Sequence, residues 1–475
     1  MLFNHGPATV SYTFDDPHLV SAAGLVPVMR LGQDAGLVAL ADDRISLDTD
    51  KGAYPGAKTA SLVAGMVAGA DSIDDMDLLR HGGMKSLFGR VYAPSTLGSF
   101  LRTFTHGHVR QLDAVATRFL SGLGQRAPFL PVVDTSGTGG MVFVDIDDSM
   151  IEVASAAKQG AGIGYSKVRG LNALIATAST NSAAPIIIGQ RLRRGPTHSV
   201  RGAPKLLADS LAALDRIPGV SASAPRVVRA DSAYYAADVI KAARRTGADI
   251  SVTVKMIAPV KDAIRQIPES AWTAIKYPHA IWDDESGTWI SDAEVAEIPF
   301  TAFTSKKSAN QVAGRLIVRR IPELNAAKQA RGQETLFDLW RYHGFFTTID
   351  ASILDTAAAD RMHRAHAIIE QTHAEPKAGP LAHMPSGLFQ ANAAWLTLAT
   401  IAHNLMRAAA VIAGGTLTRA RTPSLRTKLI AIPARIARRA RKLILHLPDG
   451  WKWRAEFTRL YATLTGRPPP ATAGI

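Results

Sequence analysis

The stretch that most constrains the fold is Met141–Ser149, reading Met-Val-Phe-Val-Asp-Ile-Asp-Asp-Ser. Val142 and Val144 alternate about Phe143, the β-branched and aromatic character of a strand. Gly139 and Gly140 precede it, and its far end runs into three acids. Side chains two apart on a strand share a face, so Asp145 and Asp147 point one way and Ile146 points into the core. Carboxylates at the end of an apolar strand cost free energy unless a cation or hydrogen bonds compensate. A solvated strand end and a metal-ligand strand both satisfy that condition. The choice between them rests on whether other acids arrive at the same place.

The segments that follow extend this strand into a sheet. Leu171–Thr177 and Pro185–Leu192 read as two more strands on short turns, an antiparallel meander. Gly160, Gly162 and Gly164 have no helix after them, as a phosphate loop requires, and so mark a turn. Lys205–Ile217 carries Leu206, Leu207, Leu211 and Leu214 at helical spacing. Arg226–Asp231 is a strand that again ends on an acid, Ala236–Thr246 is helical, and Asp249–Met256 alternates like a strand. The order β-β-β-α-β-α-β predicts a mixed sheet with helices packed on it. Active sites on such sheets lie at strand ends, so Asp147 and Asp231 are expected to converge.

Around this core, residues 1–130 read as a mainly helical domain. Its Arg90, Arg102, His106, His108 and Arg110 suit either a phosphate backbone or a solvated face. Residues 131–256 form the first part of the core. Residues 257–340 gather Trp272, Tyr277, Trp282, Trp289, Phe300 and Phe303 and read as a β-rich insertion. Over 341–415 the sheet resumes, and a helix begins near Asp355 and runs through His363, Arg364, His366 and Glu370 towards Lys377. Asn392–Ile412 is apolar enough to raise a membrane span, but Asn392, His403, Asn404 and Arg407 interrupt it, so a buried helix is expected. Residues 416–475 form a basic tail broken by Pro423 and Pro433.

The charge balance narrows the partners. With 475 residues, two or three domains are expected. Lys+Arg 54 against Asp+Glu 40 gives a formal net charge of +14, which favours a polyanion, nucleic acid ahead of a membrane surface. The chain has 0 cysteines, which excludes disulfides, thiolate zinc sites and a cysteine nucleophile. Its start lacks the basic-then-apolar pattern of a signal peptide, so a cytoplasmic location is expected.

An acid on a helix after two strand-end aspartates makes a DDE set. Three carboxylates hold two divalent cations roughly 3.5–4 Å apart for in-line phosphoryl transfer. The run His363-Arg-Ala-His-Ala-Ile-Ile-Glu370-Gln, then Lys377, Gly379-Pro-Leu-Ala-His-Met-Pro-Ser386-Gly, Asn392-Ala-Ala-Trp395 and Ala402-His-Asn-Leu405 resembles bacterial insertion-sequence transposases. So do Asp145-Ile-Asp-Asp-Ser149 and Arg229-Ala-Asp231-Ser. The resemblance spans roughly residues 90–415.

It implies an α/β fold: a ribonuclease-H-like mixed sheet flanked by helices, with a β-strand insertion before the final glutamate. It also implies that Asp147, Asp231 and Glu370 are the catalytic carboxylates and ligands of two Mg2+ ions, with Mn2+ as a substitute. Asp145 and Asp148 are rivals for the first place. Asp147 is preferred because the family sets its aspartate just ahead of a small and a hydroxyl residue, here imperfectly Asp148 and Ser149.

The family motif has a Tyr and an Arg before the glutamate and a Lys seven residues after it. Lys377 fits, while His363 and His366 stand in the other two places. Lys377, His363, His366 and Arg364 are the implied DNA contacts, and Trp282 or Trp289 is the implied base-stacking tryptophan of the insertion. The implied partners are double-stranded DNA, as element ends and target, and a second copy in a synaptic dimer at the bacterial nucleoid, with no membrane. A transposase-derived repressor without catalysis and a nuclease acting on RNA are the competing readings.

Overall fold

The computed structural model describes residues 11–131, 140–165, 167–220, 224–276, 281–283, 288–290, 293–322, 340–439 and 442–466. Its centre is the predicted meander. Strand β1 (Val142–Glu152) pairs antiparallel with β2 (Arg169–Thr180), which pairs antiparallel with β3 (Ala183–Arg194). On its other edge β1 runs parallel to β4 (Arg226–Ala230), which runs parallel to β5 (Asp249–Thr253). The order β3-β2-β1-β4-β5, with β2 alone reversed among the inner strands, is the ribonuclease-H-like arrangement. Helix α6 (Ala203–Leu214) and α7 (Ala237–Arg244) make the two crossovers between parallel strands.

The insertion does not stand apart from this sheet. Thr273–Ile275 (β6), Ala293–Ala302 (β7), Val312–Pro322 (β8) and Trp340–Thr347 (β9) continue it in the order β5-β9-β8-β7-β6, all antiparallel. Without them the β5 edge would present a row of unpaired amides and carbonyls, and β9 covers it. Trp282 and Trp289 are register partners in a separate two-stranded hairpin, and their side chains lie outside the described residues.

The first helices are α1 (Leu25–Asp34), α2 (Leu37–Arg44), α3 (Pro55–Ala68), α4 (Pro94–Arg102) and α5 (His106–Gly124). Gly36, at φ 92°, supplies the left-handed turn that splits α1 from α2. The N-terminal helices, the sheet and the long helix near the C-terminus share one continuous apolar cluster, with Leu25, Phe100, Phe119, Val144 and Trp395 among its most enclosed side chains.

The expected single helix after Asp355 is two. Asp355 caps α8 (Thr356–Arg364) by accepting from the Ala358 amide at 2.7 Å. A 3₁₀ turn at Ala365–Ala367 follows, and α9 (Ile368–Lys377) continues. A 3₁₀ turn winds faster than an α-helix, so it re-phases the chain: α8 presents His363 towards β5, and α9 presents its stripe to β1.

Helix α10 (Phe389–Ala413) is long and apolar enough to cross a membrane, yet 89% of its most apolar window is buried within the fold. Two of its asparagines satisfy backbone there. Asn404 accepts from the Ile187 amide at 2.9 Å and donates to the Ile187 carbonyl at 2.7 Å, satisfying backbone of β3. Asn392 does the same for Ser386.

The basic stretch after residue 416 is not a loose tail. Ala434–Arg439 pairs with Lys442–His446 and with Leu19–Val20. Ala434 and Ile436 are buried with Arg435 facing out between them, and Arg438 and Arg439 are exposed at the far end of the strand.

Candidate active site

The three aspartates of β1 do not share one fate. Asp145 is fully buried and takes a bidentate ion pair from Arg229 of β4, Nε to Oδ1 at 2.8 Å and Nη2 to Oδ2 at 2.7 Å. His366 Nδ1 lies 2.8 Å from the same Oδ1. Arg229 also donates to the Met362 carbonyl at 2.9 Å and sits over the Phe143 ring at 4.3 Å. Burial pushes the Asp145 carboxyl up, but Arg229 and His366 outweigh it and hold the group below its ordinary value. With both oxygens taken, Asp145 ties β1 to β4 and to the start of α9.

Asp148 is matched as well. Tyr234 donates to its Oδ1 at 2.5 Å, while Asn172 and Arg193 serve Oδ2, Arg193 at 3.1 Å. Burial raises its pKa, and these partners more than reverse the effect.

Asp147 has no such partner. Its Oδ1 accepts only the amide of Asp148, at 2.7 Å, and its Oδ2 has no hydrogen bond among the described residues. Burial, with repulsion from Asp231 and Asp148, pushes its pKa up to about 7 despite that amide. Asp231 stands just beyond β4, caps the short turn Ser232–Tyr234 through the Ala233 amide at 2.9 Å, and is exposed. The parallel ladder of β1 and β4 ends at Ile146↔Ala230, so Asp147 and Asp231 follow directly after its last pair on neighbouring strands. Both line a cavity of about 740 Å3, together with Ser149, Lys255 and Lys377.

Along α9 the residues Glu370, His373 and Lys377, with His366 just before them, recur at spacings of four, three and four and so form one stripe. That stripe lies along β1: His366 meets Asp145, His373 Nε2 is 3.8 Å from Asp147 Oδ2, and Lys377 donates to Ser149 Oγ. Glu370 sits at the outer rim of the stripe, exposed, with no hydrogen bond or ion pair among the described residues. It does not line the cavity, and no group of three His, Asp or Glu stands at metal-holding range among the described residues.

A family model described as Transposase DDE domain group 1 matches residues 5–468. The chain belongs to the DDE transposases. No curated protein matches it.

The transposase therefore brings Asp147, Asp231 and Lys377 to one cavity, with Glu370 on the adjoining helix. His363, an implied DNA contact, lies inside the fold rather than at the cavity. Its ring nitrogens are taken by Ser251 Oγ at 2.8 Å and Thr253 Oγ1 at 2.9 Å, and its ring stacks on Phe345 at 4.1 Å. Burial pushes its pKa down to about 3, so it is a neutral packing residue with no charge to offer a phosphate. His366 is engaged with Asp145, and Arg364 donates to Asp360, which also takes Arg319.

Sequence reasoning missed Arg229 as the partner of Asp145, although it stands two residues before Asp231. It also missed His373, whose spacing from His366 and Lys377 places it on the same stripe. The Nε2 of His373 is buried without a hydrogen-bond partner among the described residues.

The donor set suits a hard divalent cation. Asp147 offers an uncompensated carboxylate oxygen, Asp231 offers another, and both are oxygen ligands of the kind Mg2+ and Mn2+ take. Burying an unbalanced carboxylate is costly, and a cation between the two would offset that cost.

Proposed function

We propose that this transposase binds the terminal inverted repeats of its own element, cleaves DNA at those ends and joins the 3′-hydroxyls to target DNA. The observation that carries the reading is the one unmatched acid of β1, Asp147, lining an open cavity beside Asp231 while both neighbouring aspartates are neutralised. Asp147 and Asp231, completed by Glu370 through side-chain rotation from α9, would hold two Mg2+ ions, with Mn2+ able to substitute. Bound there, the ions supply Lewis-acid activation of the attacking hydroxyl and of the leaving oxygen.

The chain's own residues supply position and charge. The Asp145–Arg229 pair keeps β1 and β4 in register, so the two free carboxylates stay side by side. Lys377, whose pKa is held below the usual lysine value by burial, places a compact cation at the cavity wall for a phosphate. The helical residues 1–130 are the proposed reader of the ends, and two copies are proposed to act together because two ends must be held. Trp282 or Trp289 remains the proposed base-stacking residue of the insertion. The proposed place of action is the bacterial cytoplasm, at the nucleoid.

The test is Mg2+-dependent cleavage of duplex DNA carrying the element's ends. The wild type should cleave, while Asp147→Asn, Asp231→Asn and Glu370→Gln should each bind ends without cutting. Retained cleavage in any variant removes that residue from the site. The exposed position of Glu370 favours one rival, a repressor that binds ends and never cuts. Wild-type binding with no cleavage in either Mg2+ or Mn2+ would establish it.

A further inference from the structure

Beyond the free edge of β3, a second cavity of about 250 Å3 opens between α5 and α6. Four arginines line it: Arg110 and Arg118 from α5, Arg191 from β3 and Arg216 after α6. Two acids line it too, but both are already matched. Asp113 accepts from Arg110 at 2.8 Å and from Gln190 at 3.0 Å, and Asp209 accepts from Lys205 at 3.1 Å. That leaves three cations with no carboxylate in ion-pair contact among the described residues. Arg118 donates only to the Ala114 carbonyl of its own helix, and neither Arg191 nor Arg216 makes a side-chain hydrogen bond among the described residues.

Arg191 is the informative one. It is half-buried, and a guanidinium removed from water without an acceptor is costly. Burial and the neighbouring Arg110 act against its charge and outweigh the favourable field of Asp113 and Asp209, so an anion in the groove would relieve an unfavourable balance. Ser210 borders the same groove with a buried hydroxyl that has no hydrogen-bond partner among the described residues. The close approach there depends on Gly189, where a β-carbon would fall 2.1 Å from Ser210 Oγ.

We propose that this groove is a second DNA-backbone site, in which Arg191 takes a phosphate oxygen pair with Arg118 and Arg216 flanking it. Planar guanidinium groups match phosphate bidentately, which suits a half-buried arginine better than a solvated counter-ion does. The occupant is DNA because the groove adjoins the candidate active site along one strand. Arg193, two residues on from Arg191 and therefore on the same sheet face, is the side chain that holds Asp148 at the cavity. A duplex seated in the cavity would thus carry its neighbouring backbone past Arg191. The inference rests on the transposase reading above, but its test uses no cleavage.

Binding of a fluorescent duplex lacking the element's ends is measured by anisotropy in chelator over about 50 to 200 mM salt. Arg191→Gln should lower affinity and reduce the slope of log affinity against log salt by about one, some 3.5-fold less salt sensitivity across that range. Arg118→Gln, at an exposed helix position, should also flatten the slope, which keeps the test decisive if Arg191→Gln fails to fold. Arg30→Gln, whose parent side chain pairs with Asp34 at 2.9 Å, should leave it unchanged. Asp147→Asn should keep the full slope, separating this site from the catalytic one. A wild-type slope in both groove variants overturns the proposal. So does competition by inorganic phosphate that depends on Arg191 while the duplex slope does not, which would assign the groove to a free anion.

Discussion

Removing the guanidinium from the centre of the fold by Arg229→Met tests what the Asp145–Arg229 pair contributes. Both side chains are withdrawn from water, at 2% and 0% exposure, so the substitution strands a carboxylate in the interior with only His366 beside it. Breaking a buried pair from one side costs about 3–5 kcal/mol. The Met362 carbonyl at the end of α8 also loses its donor, adding about 1–3 kcal/mol. The double variant Arg229→Met/Asp145→Leu removes the stranded charge along with its partner. It should regain most of the first cost and none of the second. The assay is thermal and urea unfolding of the full chain by circular dichroism, for wild type, both singles and the double, in metal-free buffer. A double variant more stable than Arg229→Met is the expected result, with a coupling of several kcal/mol. The pair also fixes a pH dependence. Because the folded carboxyl titrates below its ordinary value near 3.8, its contribution is present above that pH and is lost as pH falls through the folded value. Acid destabilisation below about pH 4 should therefore be steeper in the wild type than in the double variant. Additive costs in the cycle, or equal acid limbs, would refute the reasoning.

Two further outcomes follow from the same geometry. Asp147, pushed up to about 7, costs stability that builds as pH rises from its ordinary value near 3.8 and is complete above about 7, so Asp147→Asn should melt higher than wild type at pH 8 without metal, by on the order of 1–4 kcal/mol; added Mg2+ should raise the wild-type midpoint and leave the variant's in place. In α5, Gly122→Ala should destabilise although alanine is the better helix former by ~1 kcal/mol, because its β-carbon would lie 2.4 Å from the Ala35 carbonyl; Gly107→Ala in the same helix meets nothing nearer than Thr105 Oγ1 at 3.8 Å and should stabilise, with the order of the two melting temperatures deciding.

The strands of the core were legible because each carries its own alternation. Val142, Val144 and Ile146 define β1 whatever else the chain does, and Ile250 and Val252 define β5 in the same way. The convergence of Asp147 with Asp231 was legible from strand ends. The fate of each aspartate was not, because it is set by side chains far off in sequence: Arg229 for Asp145, Asn172 and Tyr234 for Asp148. His363 misled for a related reason. Its helical spacing from Glu370 assumes one unbroken helix, and the 3₁₀ turn at Ala365–Ala367 rotates it away from the site. The C-terminal strand hid behind its arginines, since net charge masks a two-residue alternation of Ala434 and Ile436. The insertion looked separate because sequence order says nothing about which sheet edge a strand joins.

Why should one strand spend three aspartates where two are neutralised on the spot? A carboxylate left unbalanced in a largely buried position costs free energy, and the neighbours of Asp147 show that this fold has the means to remove such a cost. Arg229 reaches Asp145 from one face, and Arg193 with Tyr234 reaches Asp148 from the other. At Asp147 the opposing positions carry a second acid, Asp231, and a histidine that burial pushes down to about 4, so the local field is made worse for an anion rather than better. Chance placement of acids would not produce matched, unmatched and matched groups within four consecutive residues of one strand. A site that must accept a divalent cation from solvent requires this order: rigidly neutralised flanks that hold the strand, and between them a carboxylate whose missing partner is the ion itself. Supplying that partner from the protein, as Ser149→Arg would by placing a guanidinium two residues along the same face, should return Asp147 to an ordinary carboxylate pKa and abolish Mg2+ stabilisation. A variant that still gains stability from Mg2+ would show that Asp147 is not where the ion binds.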